Sequence, residues 1–146
     1  MTYWDTSCVL KLYAPEADSA AYIAFAARFG PLRTSDLTKT ELFYGLIRKE
    51  AAGDIADGMA EMAFAKFADD ERKGRFVFYP LGEDVRAEAE KVAHSCYRVA
   101  DDPVAIRTLD GLHLATAVVA KLREVVTADE RMLRALPLVG LCERKP

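Results

Sequence analysis

The apolar positions of this chain fall into short runs that alternate with longer stretches of helical spacing. Short apolar runs predict strands, and apolar residues three and four positions apart predict helices. The predicted strands cover residues 2–5, 32–34, 76–79, 124–127 and 138–142. The predicted helices cover residues 6–13, 16–29, 36–52, 54–73, 83–100, 107–122 and 129–135. Strands that alternate with helices in this way are typical of an α/β sandwich with a mainly parallel central sheet.

The length and charge of the chain narrow the classes of protein it can represent. Its 146 residues are enough for one domain with a substantial core, so we expect a single domain over residues 1–146. No secretory signal or membrane-spanning apolar stretch is evident, which favours a cytoplasmic protein. The net charge of −3 disfavours a protein that coats nucleic acid by bulk electrostatics. Any contact with nucleic acid is therefore expected to be local or mediated by a metal.

One predicted helix and the three cysteines are expected to be buried. The predicted helix over residues 107–122 is apolar around nearly its whole circumference, which indicates that it is buried. Cys8, Cys96 and Cys142 are odd in number, widely spaced and free of any Cys-x-x-Cys pattern. They predict neither a disulfide framework nor a zinc site, so we expect three small core residues.

Four carboxylates stand where a strand or loop passes into a helix: Asp5, Glu41, Asp110 and Asp129. Each lies beside small hydroxyl residues or inside an apolar run, where an unpaired negative charge is costly. Ligands of α/β sheets gather at the carboxyl ends of the strands, where Asp5 and Asp129 fall. If the four side chains converge, they must either hold protons or bind cations. Ligand sets made only of oxygen favour Mg²⁺ or Mn²⁺ over zinc.

The first two acids also have ordinary structural interpretations. Asp5 can cap the helix that follows it, although its hydroxyl neighbours could do so instead. Glu41 completes a capping box with Thr38 if the helix begins there. If the helix begins near Ser35 or Asp36, Glu41 lies well inside it. The sequence leaves the start of this helix open.

The other two acids have similar alternatives. Asp110 could pair within its helix with His113 or Arg107, but such a pair is a weak reason to bury a charge, which favours a functional role. Asp129 could simply mark a helix start, with Thr127 as the N-cap. A single histidine in an apolar helix is more often a hydrogen-bonded core residue than a ligand, so His113 is not among the candidate catalytic residues.

Four stretches of the chain carry a recognisable pattern. They are WDTSCVL at residues 4–10, TEL at residues 40–42, RTLDGLHLATA at residues 107–117 and VTAD at residues 126–129. Together, and in this order over essentially the whole chain, they resemble a PIN domain, and within that family the VapC-type toxins of bacterial toxin–antitoxin pairs. The chain departs from the family after Asp129, where a frequent Phe is replaced by Met132 and Leu133.

The resemblance implies a three-layer α/β/α fold and a Mg²⁺-dependent endoribonuclease, with Mn²⁺ as an alternative ion. Its acidic quartet matches Asp5, Glu41, Asp110 and Asp129. We take Asp5 and Asp110 as the principal metal ligands and Glu41 as positioning or deprotonating the attacking water. Asp129 either completes the set or holds a second ion. Thr6, Ser7 and Thr127 match the small polar neighbours that orient a carboxylate or a water.

The same resemblance implies partners. It predicts a cognate antitoxin whose segment lies over residues 36–50 and 54–73 and obstructs the acids, and a homodimer. Unpaired RNA is the expected substrate, because only splayed strands let a phosphate reach a shallow acidic cleft. Four cations are candidates to flank the RNA, although each is more often a solvated surface charge. They are Lys11, Arg107, Arg131 and Arg134.

Two other functions stay open on the sequence alone. In a phosphohydrolase of the haloacid dehalogenase type, Asp5 would be the covalent nucleophile. That family requires a second acid two residues later, where this chain has Ser7, which counts against it. In a non-catalytic partner-binding module, the acids would merely cap helices, and the amphipathic stretches 36–50 and 54–73 would dock partner helices.

Overall fold

The computed structural model describes residues 1–146 and contains five strands and seven α-helices. The strands are β1 Thr2–Trp4, β2 Leu32–Ser35, β3 Phe76–Tyr79, β4 Glu124–Val126 and β5 Cys142–Glu143. The helices are α1 Thr6–Leu10, α2 Ser19–Ala26, α3 Leu37–Ala51, α4 Met59–Arg72, α5 Glu83–His94, α6 Thr108–Val119 and α7 Glu130–Ala135. A π-helical turn, Ser95–Val99, extends α5, and a 3₁₀ helix, Leu136–Val139, follows α7.

All five strands are parallel and form one sheet in the order β3-β2-β1-β4-β5. The chain therefore builds outward from β1 to β3 and then returns to place β4 on the other side of β1. Such a reversal of strand order opens a crevice at the carboxyl ends of the two central strands, which is where α/β sheets bind their ligands. The predicted parallel sheet is confirmed, and its central crevice lies between the ends of β1 and β4.

Two hydrophobic cores lie on opposite faces of the sheet because successive strand residues point to opposite sides. Tyr3 and Val125 belong to the core beneath α5, α6 and α7, whereas Trp4 and Val126 belong to the core beneath α1 to α4. These four side chains are almost fully buried. The sheet is thus covered by helices on both faces, which confirms the three-layer α/β/α sandwich.

Several element boundaries differ from the sequence prediction, and two of them lie at glycines. The prediction of a last strand over residues 138–142 is wrong over most of that range. Residues Leu136–Val139 form a 3₁₀ helix instead, with Pro137 in its first turn. Gly140 then turns the chain with a φ of 73°, a conformation that glycine adopts without strain. Similarly, α4 begins only at Met59, after Gly58 with a φ of 80°, and not at residue 54.

The burial predictions are confirmed in part. Most of α6 is buried, but Leu109 near its start is 46% exposed. Cys8 and Cys96 are buried, whereas the prediction is wrong for Cys142, which is exposed because it lies on the edge strand β5. None of the helices has the length and apolarity needed to cross a lipid bilayer.

Candidate active site at the carboxyl ends of the strands

Asp5 lies at the central crevice, directly after β1, and is 5% exposed. Its Oδ2 accepts hydrogen bonds from the Ser7 hydroxyl at 2.5 Å and the Thr127 hydroxyl at 3.0 Å. Asp5 is also the N-cap of α1, because the same oxygen accepts from the Ser7 backbone N–H at 3.4 Å. Since Thr127 directly follows β4, the Asp5 carboxylate ties together the ends of the two central strands.

Glu41 approaches the crevice from α3. The helix begins at Leu37, so Glu41 lies inside it and the capping box is not formed. Its Oε2 accepts a hydrogen bond of 2.6 Å from the Thr6 hydroxyl. The same Oε2 lies 2.5 Å from Nε2 of His113. Glu41 is therefore held by two groups from other segments of the chain.

His113 lies beneath the site on α6 and is 1% exposed. Its Nδ1 lies 2.6 Å from the Tyr3 hydroxyl, and its Nε2 faces Glu41 and, at 3.8 Å, Oδ1 of Asp5. The interpretation of His113 as a hydrogen-bonded core residue agrees with these contacts. The sequence did not indicate that the His113 ring lies between Glu41 and Asp5, because these two acids are far from His113 along the chain.

The pKa values of this pair are shifted in opposite directions. Burial favours the neutral imidazole, but the hydrogen bond with Glu41 and the charges of Asp5 and Glu41 outweigh it and raise the pKa of His113. Burial likewise opposes ionisation of Glu41, but His113 and Thr6 outweigh it and lower the pKa of Glu41. The pair is therefore stabilised as an imidazolium and a carboxylate.

Arg107 precedes α6 and bridges the two remaining acids. Its Nε donates to Oδ2 of Asp110 at 2.8 Å, and its Nη2 donates to Oδ2 of Asp129 at 3.2 Å. The hydrogen bond to Asp110 raises the pKa of Arg107, and the guanidinium stays 61% exposed. Pairing with Asp110 was among the alternatives that the sequence offered. The contact with Asp129 was not, because it spans 22 residues.

Asp129 has a second, structural role. Its Oδ1 accepts from the backbone N–H groups of Arg131 at 2.8 Å and Met132 at 3.1 Å, so Asp129 is itself the N-cap of α7. The Thr127 hydroxyl accepts from the Asp129 N–H at 3.1 Å and is not the cap. Met132, where the PIN resemblance departs from its usual pattern, is fully buried with Sδ 3.8 Å from that hydroxyl.

The chemistry of this site suits a hard divalent cation, but the present arrangement does not assemble a complete metal site. All four candidate donors are carboxylates, and Oδ1 of Asp5 accepts no hydrogen bond. However, no three His, Cys, Asp or Glu side chains are grouped so as to hold a metal ion. The cation between Asp110 and Asp129 is the Arg107 guanidinium. A metal ion shared by these two acids has to displace it.

The other candidate cations differ in their availability. Lys11 is buried and lies 2.7 Å from both Glu16 and Asp18, so the suggestion that it flanks RNA is wrong. Arg134 is paired with Asp102 at 2.8 Å on the surface. Neither side chain is paired with any of the four acids.

The chain is similar to known proteins in sequence and in structure. The model of the PIN domain family matches residues 2–136. FitAcB from Neisseria gonorrhoeae is 18% identical, with a TM-score of 0.69 over 98% of this chain and 96% of that chain. FitAB bound to an IR36 DNA fragment is 16% identical, with a TM-score of 0.70 over 99% of this chain and 94% of that chain. At these identities, both similarities establish a shared fold only. No curated protein sequence matches the chain.

Proposed function

This chain belongs to the PIN domain family, and on that premise we propose that it is a Mg²⁺-dependent endoribonuclease, the VapC-type toxin of a type II toxin–antitoxin pair. PIN domains are generally nucleases. The observation that supports the proposal most directly is the pairing of the four acids with two cationic side chains. Asp5 and Glu41 face His113, and Arg107 joins Asp110 to Asp129. Family membership gives no support to the haloacid dehalogenase alternative.

In this proposal, Asp5, Asp110 and Asp129 hold the divalent cation. When bound, such a cation neutralises the scissile phosphate, lowers the pKa of the attacking water and stabilises the leaving oxygen. The carboxylates of Asp110 and Asp129 become free to bind it when the exposed Arg107 side chain turns away. Asp5 stays fixed by Ser7 and Thr127, so its orientation does not depend on that movement.

Glu41 orients the attacking water. Its lowered pKa keeps it ionised at neutral pH, so it accepts a hydrogen bond from the water, and Thr6 and His113 keep its carboxylate in place. The water oxygen forms a bond to phosphorus as the bond from phosphorus to the 3′ oxygen breaks. The water loses a proton and the 3′ oxygen gains one. The products carry a 5′-phosphate and a 3′-hydroxyl.

The proposed substrate is unpaired RNA. With a net charge of −3, the chain has no excess of cations to hold a duplex by its phosphates alone. The bases of a single-stranded loop are splayed and leave the phosphate accessible to a shallow site. The acids lie at such a surface crevice, between the ends of β1 and β4.

The proposed protein partners are an antitoxin and a second copy of the chain. The support for the antitoxin is a row of apolar side chains on α3 and α4 that is partly open to solvent: Phe43 (38% exposed), Ile47 (39%), Met59 (37%) and Met62 (68%). A partner helix laid over this surface would bury these side chains. The same surface supports the second candidate function, a non-catalytic partner-binding module.

The deciding experiment compares the parent chain with Asp110→Asn and with Asp101→Asn on structured RNAs, with Mg²⁺ and with a chelator. Asp101 is an exposed acid outside the site, so its variant controls for the loss of one carboxylate. We expect Mg²⁺-dependent cleavage by the parent and Asp101→Asn, and none by Asp110→Asn. Equal cleavage by all three, with or without chelator, would overturn the proposal.

A further inference from the structure

A cavity of about 660 Å³ opens directly beside the acids, between α3 and the start of α6. Glu41, Tyr44 and Arg48 line it from α3, and Arg107, Leu109 and Asp110 line it from the other side. Two of the four candidate catalytic acids are therefore part of its wall. When a phosphate of a polymer lies at these acids, the next unit of that polymer is therefore within reach of the cavity.

The α3 wall presents three chemically different groups in a row. Residues 41, 44 and 48 are three and four positions apart, so they share one helix face. At 1.5 Å per residue they span about 10 Å along the helix axis. The row thus runs from a candidate catalytic acid, through an aromatic ring, to a cation.

The aromatic ring and the cation are both free to bind a ligand. Tyr44 is 66% exposed, and its ring lies edge-to-face with Phe43 at a centroid distance of 6.5 Å. The ion pairs of the chain include Arg107, which is shared by Asp110 and Asp129, but not Arg48. Arg48 is exposed on α3 and lines the same cavity. Its guanidinium is the positive charge of this row, and it has no ion-pair partner.

An exposed aromatic ring beside a free guanidinium suits a nucleotide of a single strand. The ring stacks on an unpaired base, and the guanidinium binds a phosphate through two parallel hydrogen bonds. A base within a duplex is already stacked on both sides and cannot lie flat on the ring. We propose that this cavity holds the nucleotide next to the scissile bond of single-stranded RNA, with its base on Tyr44 and a phosphate on Arg48. The proposal rests on the nuclease function proposed above.

The test measures binding of a short fluorescent single-stranded RNA to the full chain in chelator, where cleavage is blocked. Tyr44→Ala is expected to weaken binding roughly 5- to 150-fold, the range for loss of one base stacked on an aromatic side chain. Tyr44→Phe keeps the ring and is expected to bind within about twofold of the parent. Duplex RNA of the same sequence is expected to bind more weakly and to be insensitive to Tyr44→Ala.

Salt dependence tests the role of Arg48 separately. Loss of one phosphate contact to a single strand reduces the slope of log affinity against log salt by about 0.7. Arg48→Gln is expected to show this reduction, whereas Tyr44→Ala is expected to keep the parent slope. Arg28→Gln removes an exposed cation at the end of α2 and is expected to change neither affinity nor slope.

Several results would overturn the proposal. The first is equal RNA binding by Tyr44→Ala and the parent, and the second is an unchanged salt slope in Arg48→Gln. The third is an oligomer that dissociates in the Tyr44→Ala variant, as measured by light scattering, because this face would then be a subunit interface. Failure of the nuclease proposal has a different signature. In that case the parent would bind the RNA through Tyr44 and Arg48, yet would not cleave it in any way that depends on Asp110.

Discussion

Nε of Arg107 lies 2.8 Å from Oδ2 of Asp110, so the acid within the stretch RTLDGLHLATA is paired with a cation three residues before it. The same guanidinium reaches Asp129. In the proposed nuclease, Arg107 and the divalent cation compete for the same two carboxylates.

The first prediction follows from this competition. Arg107→Gln is expected to bind Mn²⁺ more tightly than the parent, because the competing charge is gone. A partly exposed ion pair contributes about 1 kcal/mol, which corresponds to roughly fivefold in affinity. Titration calorimetry measures the change. Arg131→Gln removes a nearby exposed cation and is the matched control. An equal gain in both variants would show a general charge effect, and no gain in Arg107→Gln would contradict the competition.

The second prediction concerns pH. The pKa of His113 is raised in the folded chain, so its protonation stabilises the fold fully below its unfolded value of 6.5. This stabilisation is lost as pH rises through the folded-state pKa, at about 1.4 kcal/mol for each unit of pKa difference. The pKa of Glu41 is lowered, so its contribution is present above 4.5 and is lost as pH falls through the folded-state value.

Both contributions are present together between about pH 4.5 and 6.5, where the free energy of unfolding from this pair is expected to be largest. Urea unfolding over a pH series measures it. His113→Gln is expected to remove the decline above pH 6.5, and His94→Gln, at an exposed histidine, is expected to keep it. A decline of equal size in the parent and in His113→Gln would exclude His113 as its source.

The third prediction separates the two roles of Asp129. Asn caps helices as well as Asp does, so Asp129→Asn is expected to lose a charged ligand and at most about 1 kcal/mol from the ion pair with Arg107. Asp129→Ala loses the cap as well and is expected to lower the free energy of unfolding by about 1 kcal/mol more than Asp129→Asn. Both variants are expected to lose nuclease activity. Full activity in Asp129→Asn would show that Asp129 serves the helix alone.

The fourth prediction concerns Thr6, whose hydroxyl lies 2.6 Å from Oε2 of Glu41. Thr6→Val keeps the shape of the side chain but leaves a half-buried carboxylate without this donor. The expected cost in the free energy of unfolding is about 1–3 kcal/mol. Thr6→Ser retains the hydroxyl and is the control, so it is expected to cost less than Thr6→Val. Chemical denaturation measures both, and equal costs would assign the effect to packing.

Much of the fold could be predicted from the order of strands and helices. Two of the misplaced boundaries, at Gly58 and Gly140, fall where positive φ angles turn the chain. Apolar residues continue through Leu136–Val139 with a pattern that suits a strand, but Pro137 and the turn at Gly140 favour a 3₁₀ helix. Local turn geometry, which hydrophobic periodicity does not encode, decided these ends.

The sequence by itself determined the parallel sandwich and drew attention to four acids, because strand and helix periodicities and helix-start positions are local properties of a chain. Only the tertiary structure decided what each acid touches. Asp5 meets Thr127 across 122 residues, and Glu41 meets His113 across 72. Such contacts depend on the order in which the strands assemble and on the rotamers of buried side chains. Short-range spacing in the sequence does not specify either of these.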